Sequence, residues 1–253
     1  MDYDLLIDLY KGTTRQGPGG QPQTMQALQL TDLLNSLHPL KVADIGCGTG
    51  ASTLVLAAQL NASIVAVDLF QNFLDVLEQD AQRLGLSGKI QILAESMDAL
   101  SFEAASLDLI WAEGAIYNMG FEKGVTYLKQ FLKPKGVLAV SEITWLTKKR
   151  PYDLEAHWNA EYPEIAMASE KINVLEEAGY LLKGYFPLPE ACWIENYYTP
   201  LEQAFQDFLK RHDTQEARDI VDDERAEIAL YKKHHAHYSY GFYIAQVANE
   251  SSL

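Results

Sequence analysis

Five short apolar runs, separated by stretches of helical periodicity, constrain the fold of this chain more than any other feature of its sequence. None is longer than nine residues, and all are rich in Val, Ile, Leu and Ala, which is typical of parallel strands covered on both faces. The runs are Lys41–Ile45, Ser63–Val67, Ile90–Ala94, Leu107–Ala112 and Gly136–Thr144. The helical stretches between them are Ser52–Leu60, Gln71–Leu84 and Lys123–Leu132. This alternation predicts a doubly wound α/β sheet with helices on both faces.

The two ends of the chain carry further elements. Thr24 is a predicted N-cap for a helix that runs to about His38 and stops at Pro39. After residue 144, helices are predicted at Lys171–Ala178, Thr199–Arg211 and Thr214–His234, and strands at Tyr180–Phe186 and Gly241–Ala248. Because no internal repeat or linker interrupts this order, we predict a single domain over residues 1–253 with a helical, aromatic insert near its C-terminus.

Composition and charge exclude several classes of protein. The formal net charge of −15 disfavours nucleic acid as a partner, because DNA and RNA binding depends on Lys and Arg contacts to phosphates. No apolar run is long enough to span a membrane, and the start MDYDLLIDLY lacks the features of a signal peptide. The two cysteines, Cys47 and Cys192, cannot form a disulfide framework. We therefore expect a cytoplasmic protein with no nucleic-acid or membrane partner.

A glycine-rich turn, VADIGCGTG at residues 42–50, follows the first predicted strand directly. Gly46, Gly48 and Ala51 satisfy the G-x-G-x-x-G/A pattern of dinucleotide-binding proteins. Asp68 ends the second strand 20 residues after Gly48, where an acid commonly contacts ribose hydroxyls. These features predict an adenosine-containing ligand at the carboxyl ends of the first two strands.

Three further positions distinguish between ligands. Asp44 precedes the glycines, and a carboxylate there suits a ligand with an ammonium or sulfonium charge better than a pyrophosphate. The stretch ESMDALSF after the third strand offers an acid for an adenine amine and Met97 for its ring. The fourth strand ends at Glu113 and Gly114, which meet the same crevice. Together these positions favour a sulfonium cofactor.

Five motifs, taken in order, resemble those of class I S-adenosylmethionine (SAM)-dependent methyltransferases that act on small molecules. They are VADIGCGTG, VAVDL, AESMDALSF, LDLIWAEGAIYNMG and LKPKGVLAVSEITW, and they extend over about residues 40–146. The resemblance implies a Rossmann-like, mostly parallel sheet of seven strands whose last strand, GFYIAQVA here, is antiparallel. It also implies SAM as the methyl donor.

The resemblance assigns cofactor contacts to four stretches. The glycine turn would line the methionine and the ribose, and the end of the second strand would contact the ribose and the adenine. The loop after the third strand would contact the adenine, and the end of the fourth strand would contact the methionine. The residues concerned are Asp44, Gly46, Cys47, Gly48, Asp68, Leu69, Ser96, Met97, Asp98, Glu113 and Gly114.

Upstream, YKGTTRQGPGGQPQT resembles a segment that folds over the cofactor in small-molecule members of the family. Tyr10 would cover the sulfonium, and Arg15 would pair with the SAM carboxylate or with a substrate. The implied organisation is a cofactor-covering segment at 1–38, a SAM-binding core at 39–144 and substrate-side inserts at 145–178 and 187–240.

Histidines are the candidate general bases, since a hydroxyl acceptor must lose a proton during transfer. The candidates are His157, His234, His235 and His237, and of these His157 and His237 are the predicted catalytic residues. No metal site is predicted, because the two cysteines cannot complete a zinc site and HHAH lacks supporting ligands. Aromatic residues in the inserts would suit an apolar or aromatic small molecule, or a methylated ammonium.

Two alternatives to the methyltransferase stay open at this level. An NAD-dependent oxidoreductase rests only on the spacing of Gly46, Gly48 and Ala51. A SAM-binding module without catalysis would bind the cofactor and turn over no acceptor. The acceptor molecule is not predicted, and a homodimer is left open.

Overall fold

A computed structural model describes residues 3–248, and eight strands of this part form one sheet. The sheet order is β3-β2-β1-β4-β5-β8-β7, and the two-residue strand β6 pairs with the end of β5. The strands are β1 (Leu40–Ile45), β2 (Ala62–Asp68), β3 (Ile90–Ala94), β4 (Leu107–Glu113), β5 (Leu132–Trp145), β6 (Ala166–Met167), β7 (Tyr180–Pro187) and β8 (Tyr238–Val247).

Ten α-helices of the described part surround this sheet. They are α1 (Tyr3–Tyr10), α2 (Gln21–Leu30), α3 (Ala51–Gln59), α4 (Gln71–Arg83), α5 (Phe121–Lys129), α6 (Tyr152–Glu161), α7 (Ala168–Glu177), α8 (Glu190–Trp193), α9 (Thr199–Arg211) and α10 (Gln215–His234). A π-helical turn at Ile194–Tyr198 links α8 to α9. Within residues 3–248, no helix is both long and apolar enough to cross a bilayer.

The predicted doubly wound architecture is confirmed. Strands β1 to β5 pair in parallel, and the last strand β8 is antiparallel to both β5 and β7. Alternate residues of each central strand pack into two apolar clusters on opposite faces of the sheet. On β1, for example, Val42 packs with α2 and α3, whereas Ala43 packs with α5 and α7. Burial of both faces explains why the strands are apolar along their whole length.

The order of the strands creates a crevice between β1 and β4, because the connections that follow these two strands lead toward opposite edges of the sheet. Ligands of open α/β sheets bind outside the carboxyl ends of the strands at such a switch point. Asp44 of β1 is level with Ala66 of β2 and Trp111 of β4. Asp68 and Glu113 lie two residues beyond these partners, so both strands end at the edge where the glycine turn begins.

Two predicted helices are wrong in extent. The helix predicted from Thr24 to His38 runs from Gln21 to Leu30, because Pro22 favours the first turn and Asp32 has a left-handed backbone with a φ of 63°. The helix predicted to reach Leu132 ends at Lys129. Leu132 is already the first residue of β5. This strand is longer than predicted, and its pairing with β4 contains a shift of register.

The segment 145–178 was predicted as a substrate-side insert, and the structure divides it between the two faces of the sheet. Helix α6 adds Leu154 and Trp158 to the cluster that contains α9 and α10. Helix α7 instead packs Leu175 against α5 and the opposite face. Gly179 ends α7 with a φ of +83°, as expected of a glycine after a helix C-terminus.

Candidate functional site

The glycine turn that follows β1 is so closely packed that it has no room for side chains. Gly46 has a φ of +68°, and a Cβ atom there would collide with the Cβ of Ala115, which follows β4. The methyl end of Met97 would lie 3.4 Å from the same Cβ. The turn therefore brings the ends of β1, β3 and β4 together at a glycine that no other residue can replace without strain.

Asp44 lies beneath this turn with its side chain fully buried. Its Oδ2 accepts hydrogen bonds from the hydroxyls of Ser52 at 2.9 Å and Thr53 at 2.6 Å, both in the first turn of α3. Its Oδ1 is buried and has no hydrogen-bond partner among the described residues. Burial raises the pKa of Asp44 to about 7, although both hydroxyls oppose the shift. An orphaned buried carboxylate is costly by itself and suits a cationic ligand.

Asp68 ends β2 and holds the turn from the other side. Its Oδ2 accepts a hydrogen bond from the Gly48 backbone N–H at 2.9 Å, and its Oδ1 accepts one from the Phe70 N–H at 3.0 Å. Burial raises its pKa, and the three backbone N–H groups around it limit the rise. The next residue, Leu69, leaves 62% of its surface exposed. An acid beside an uncovered apolar side chain is a suitable surface for a ribose and its base.

The loop after β3 places its three predicted residues in different surroundings. Met97 reaches the glycine turn, as described above. Ser96 accepts a hydrogen bond from the Asp98 N–H at 3.3 Å, which closes a turn. The Asp98 carboxylate points outward and pairs with Lys123 of α5 at 2.8 Å. An adenine contact by Asp98 therefore stays a prediction.

Glu113 at the end of β4 accepts hydrogen bonds from three donors, so its carboxylate has few lone pairs left for a ligand. It accepts hydrogen bonds from Arg15 at 2.8 Å, from the Thr24 hydroxyl at 2.6 Å and from the Trp111 indole N–H at 3.1 Å. Thr24 is thus a partner of Glu113 in the second turn of α2, and not the N-cap that the sequence predicted. The adjacent Gly114 has a φ of +60° and donates its N–H to Ser141 at 2.8 Å.

Arg15 belongs to an N-terminal segment, residues 3–24, that crosses the crevice. The Tyr3 ring lies 5.8 Å from Phe70, beside the end of β2. At the other end of α1, the Tyr10 hydroxyl donates to Glu224 at 2.6 Å and lies 3.1 Å from the Tyr197 hydroxyl. The side-chain oxygen of Gln16 accepts a hydrogen bond from the Thr49 N–H of the glycine turn at 2.9 Å.

Cys47, predicted among the cofactor contacts, turns its side chain into the protein. It packs with Ala66, Leu74 and Leu77 between β2 and α4. Burial and the nearby Asp44 raise the pKa of its thiol well above the usual value. Any contact of Cys47 with a cofactor must therefore use its backbone.

The two predicted catalytic histidines lie in different places. His157 of α6 is half-buried against Trp158, and its electrostatic field reaches Glu227 of α10. His237 forms a 2.8 Å hydrogen bond with the Thr147 hydroxyl in the loop that leaves β5. Among the residues described, no group of three or more potential ligands is arranged to hold a metal ion. The catalytic role of either histidine stays a prediction.

Sequence reasoning missed several residues that border the crevice. They are Gln16, Tyr117, Ser141, Glu224, Glu227 and Tyr240, together with Thr24 in its actual role. One signal was available for Glu224. It falls on the inward stripe of α10 with Val221, Ile228 and Tyr231, at the spacing of a buried helix face.

Comparisons with known proteins agree with this geometry. Residues 42–136 match the family model described as "Methyltransferase domain". The chain is 30% identical over 117 residues to the methyltransferase GfsG of Streptomyces halstedii, a match that covers 46% of this chain and 42% of that protein. It is 28% identical over 166 residues to the erythromycin 3''-O-methyltransferase of Saccharopolyspora erythraea, covering 59% and 53%. The chain thus spans about half the length of these relatives.

Among solved structures, the fold matches that of a SAM-dependent methyltransferase from Geobacter sulfurreducens in complex with S-adenosyl-L-homocysteine. The TM-score is 0.82 at 15% sequence identity, over 96% of this chain and 97% of that one. The predicted fold class and the resemblance to class I SAM-dependent methyltransferases are therefore confirmed.

Proposed function

We propose that this protein transfers the methyl group of SAM to a small-molecule acceptor. The observation that carries the proposal is the buried, orphaned Oδ1 of Asp44 beneath a glycine turn at the switch point of a methyltransferase fold. A dinucleotide would bring a pyrophosphate to this turn, and the buried carboxylate of Asp44 would oppose its charge. A cationic methionine group would pair with that carboxylate.

The side chains around the crevice fit an adenosyl-methionine group. Asp68 retains free lone pairs after accepting two backbone hydrogen bonds, so its carboxylate would hold the ribose hydroxyls. The exposed Leu69 and the methyl end of Met97 would contact the adenine. Arg15 uses only part of its five N–H donors on Glu113 and Thr24, so it would also bind the carboxylate of the methionine.

Catalysis in this crevice rests mainly on alignment. When bound, SAM supplies an electrophilic methyl carbon on a positively charged sulfur, which is an excellent leaving group. The protein must then hold the acceptor in line and keep water away. The N-terminal segment serves both purposes, because it closes over the glycine turn at Gln16 and reaches α10 at Tyr10. Where a hydroxyl acceptor must lose a proton, we propose His157, which acts electrostatically on Glu227, as the general base.

Isothermal titration calorimetry with SAM, S-adenosylhomocysteine and NADH tests the proposal. We expect micromolar or tighter binding of both adenosyl ligands and no heat with NADH. No binding of S-adenosylhomocysteine at high micromolar concentration would overturn the proposal, and tight binding of NADH would favour an oxidoreductase. If S-adenosylhomocysteine binds but SAM is never consumed with any acceptor, the chain is a binding module without catalysis.

A further inference from the structure

On α10, Glu224 is half-buried and Glu227 is exposed to solvent, and neither carboxylate forms an ion pair with a Lys, Arg or His side chain of residues 3–248. Glu224 and Glu227 are one helical turn apart, and each accepts a hydrogen bond from a tyrosine: Glu224 from Tyr10 at 2.6 Å and Glu227 from Tyr198 at 2.9 Å. In the described part of the chain, the Lys, Arg and His side chains form their ion pairs with other acids. His157 of α6 acts electrostatically on Glu227.

The environment of these glutamates is apolar and aromatic. Burial raises the pKa of Glu224 to about 7 and also raises that of Glu227, because the charged carboxylates are poorly solvated there. The Oε2 of Glu224 is buried and has no hydrogen-bond partner within residues 3–248. A buried carboxylate oxygen that accepts no hydrogen bond, and that has two further carboxylates near it, is an unsatisfied acceptor for a positively charged donor.

Tyrosine rings enclose the same space. The Tyr10 and Tyr197 rings stack with centroids 6.4 Å apart, and those of Tyr197 and Tyr198 are 4.9 Å apart. Tyr117 keeps 40% of its surface exposed, yet it lies within the electrostatic field of Glu227. Because Tyr117 and Glu227 are both exposed and interact electrostatically, they are suitable walls for an open cleft. The faces of such rings attract cations.

A row of packed aromatic rings links these glutamates to the crevice at β4. A Cβ atom on Gly114 would lie 2.9 Å from the Tyr240 ring. Tyr240 contacts Trp193 at 5.1 Å between centroids, and Trp193 contacts Tyr198, the donor to Glu227, at 5.9 Å. Packed aromatic side chains therefore join the two carboxylates to the site that we assign to the cofactor.

We propose that the methyl acceptor is a small organic amine, which binds in this cleft as an ammonium ion between Glu224, Glu227 and the tyrosine rings. It gives one N–H proton to the free Oε2 of Glu224, and its nitrogen lone pair then forms a bond to the SAM methyl carbon as the bond from that carbon to sulfur breaks and S-adenosylhomocysteine leaves. This inference rests on the proposed function and names its substrate class. An ammonium restores the charge balance that the cleft lacks, donates to the free Oε2 of Glu224 and lies against the aromatic faces. A neutral alcohol of the same shape satisfies only the last of these contacts.

The probe pair N,N-dimethylethanolamine and 3-methylbutan-1-ol tests the proposal, because the two have nearly the same shape and differ in charge at neutral pH. Both are titrated by calorimetry into protein saturated with S-adenosylhomocysteine. We expect the ammonium to bind at least tenfold more tightly than the alcohol. We expect Glu224→Gln and Glu227→Gln each to reduce this preference at least threefold, and the double variant to abolish it.

The matched control is Glu216→Gln, an exposed glutamate in the first turn of the same helix, which should leave the preference unchanged. Binding of S-adenosylhomocysteine, measured separately, shows that each variant is folded. If S-adenosylhomocysteine binds but the ammonium has no advantage over the alcohol, or keeps its advantage in the double variant, the amine assignment is wrong and the proposed function stands. If S-adenosylhomocysteine does not bind the wild type, the proposed function itself has failed.

Discussion

Replacing Asp44 with Asn should make the ligand-free protein more stable at neutral pH while weakening its hold on the cofactor. The amide oxygen of Asn can still accept the hydrogen bonds that Ser52 and Thr53 donate. The substitution removes the charge, which is stabilised only in part by those hydroxyls. Stability and function are therefore opposed at this position, as is common at sites built to bind a ligand.

The magnitude follows from the pKa of the carboxyl group, which burial raises from 3.8 to about 7. The folded chain holds this proton more tightly than the unfolded chain, so the stabilising effect is complete below pH 3.8 and is lost as the pH rises through 7. At about 1.4 kcal/mol per unit of pKa shift, the wild type should lose about 2.5 kcal/mol between pH 5 and pH 8 through this group. Asp44→Asn does not titrate and avoids that loss.

Urea unfolding of ligand-free wild type and variant, followed by circular dichroism at pH 5 and pH 8, measures this difference. Other titrating groups are shared by the two proteins and cancel to first order. Asp219→Asn is the control, since this carboxylate on α10 is exposed to solvent and accepts a hydrogen bond from Gln215. A stability gap between wild type and Asp44→Asn that stays constant from pH 5 to pH 8 would refute the reasoning.

Three further substitutions probe other parts of the site. Asp68→Ala removes both the acceptor for the Gly48 N–H and the predicted ribose ligand. Calorimetry should therefore show at least tenfold weaker binding of S-adenosylhomocysteine, and an unchanged affinity would contradict the assignment. Lys171→Met leaves the fully buried Glu142 without its 3.2 Å partner and should cost about 3–5 kcal/mol in urea unfolding, whereas adding Glu142→Gln should recover part of it. Thr24→Val removes a hydrogen bond to the Glu113 carboxylate worth about 1.5–3 kcal/mol, so limited proteolysis should cut the N-terminal segment faster than in the wild type.

Sequence reasoning brought the predicted cofactor residues to one edge of the sheet because they follow strands directly. Asp44, Asp68 and Glu113 each end or nearly end a buried strand, and the carboxyl ends of parallel strands share one edge. The spacing of apolar runs was therefore enough to bring these residues together. It could not show that Glu113 is occupied by Arg15 and Thr24, because that contact joins residues 89 and 98 positions apart.

The acceptor side was not predictable in the same way. Glu224 and Glu227 belong to the stretch DDERAE, whose charge is typical of a solvated helix surface. The half-buried position of Glu224 depends on how α10 packs against α9 and on the contact with Tyr10 from the other end of the chain. Local composition indicates the opposite of what tertiary packing produces, since a carboxylate normally avoids the interior.

The N-terminal segment has a consequence for the timing of turnover. It touches the end of β2 through Tyr3, the glycine turn through Gln16 and α10 through Tyr10, so it spans both halves of the crevice. A cofactor that enters beneath this segment must displace it first. The acceptor then binds after the segment has closed again over the cofactor. We therefore expect ordered binding, with the cofactor first. We also expect that the release of S-adenosylhomocysteine, which requires the segment to open, limits the steady-state rate, and not the methyl transfer itself.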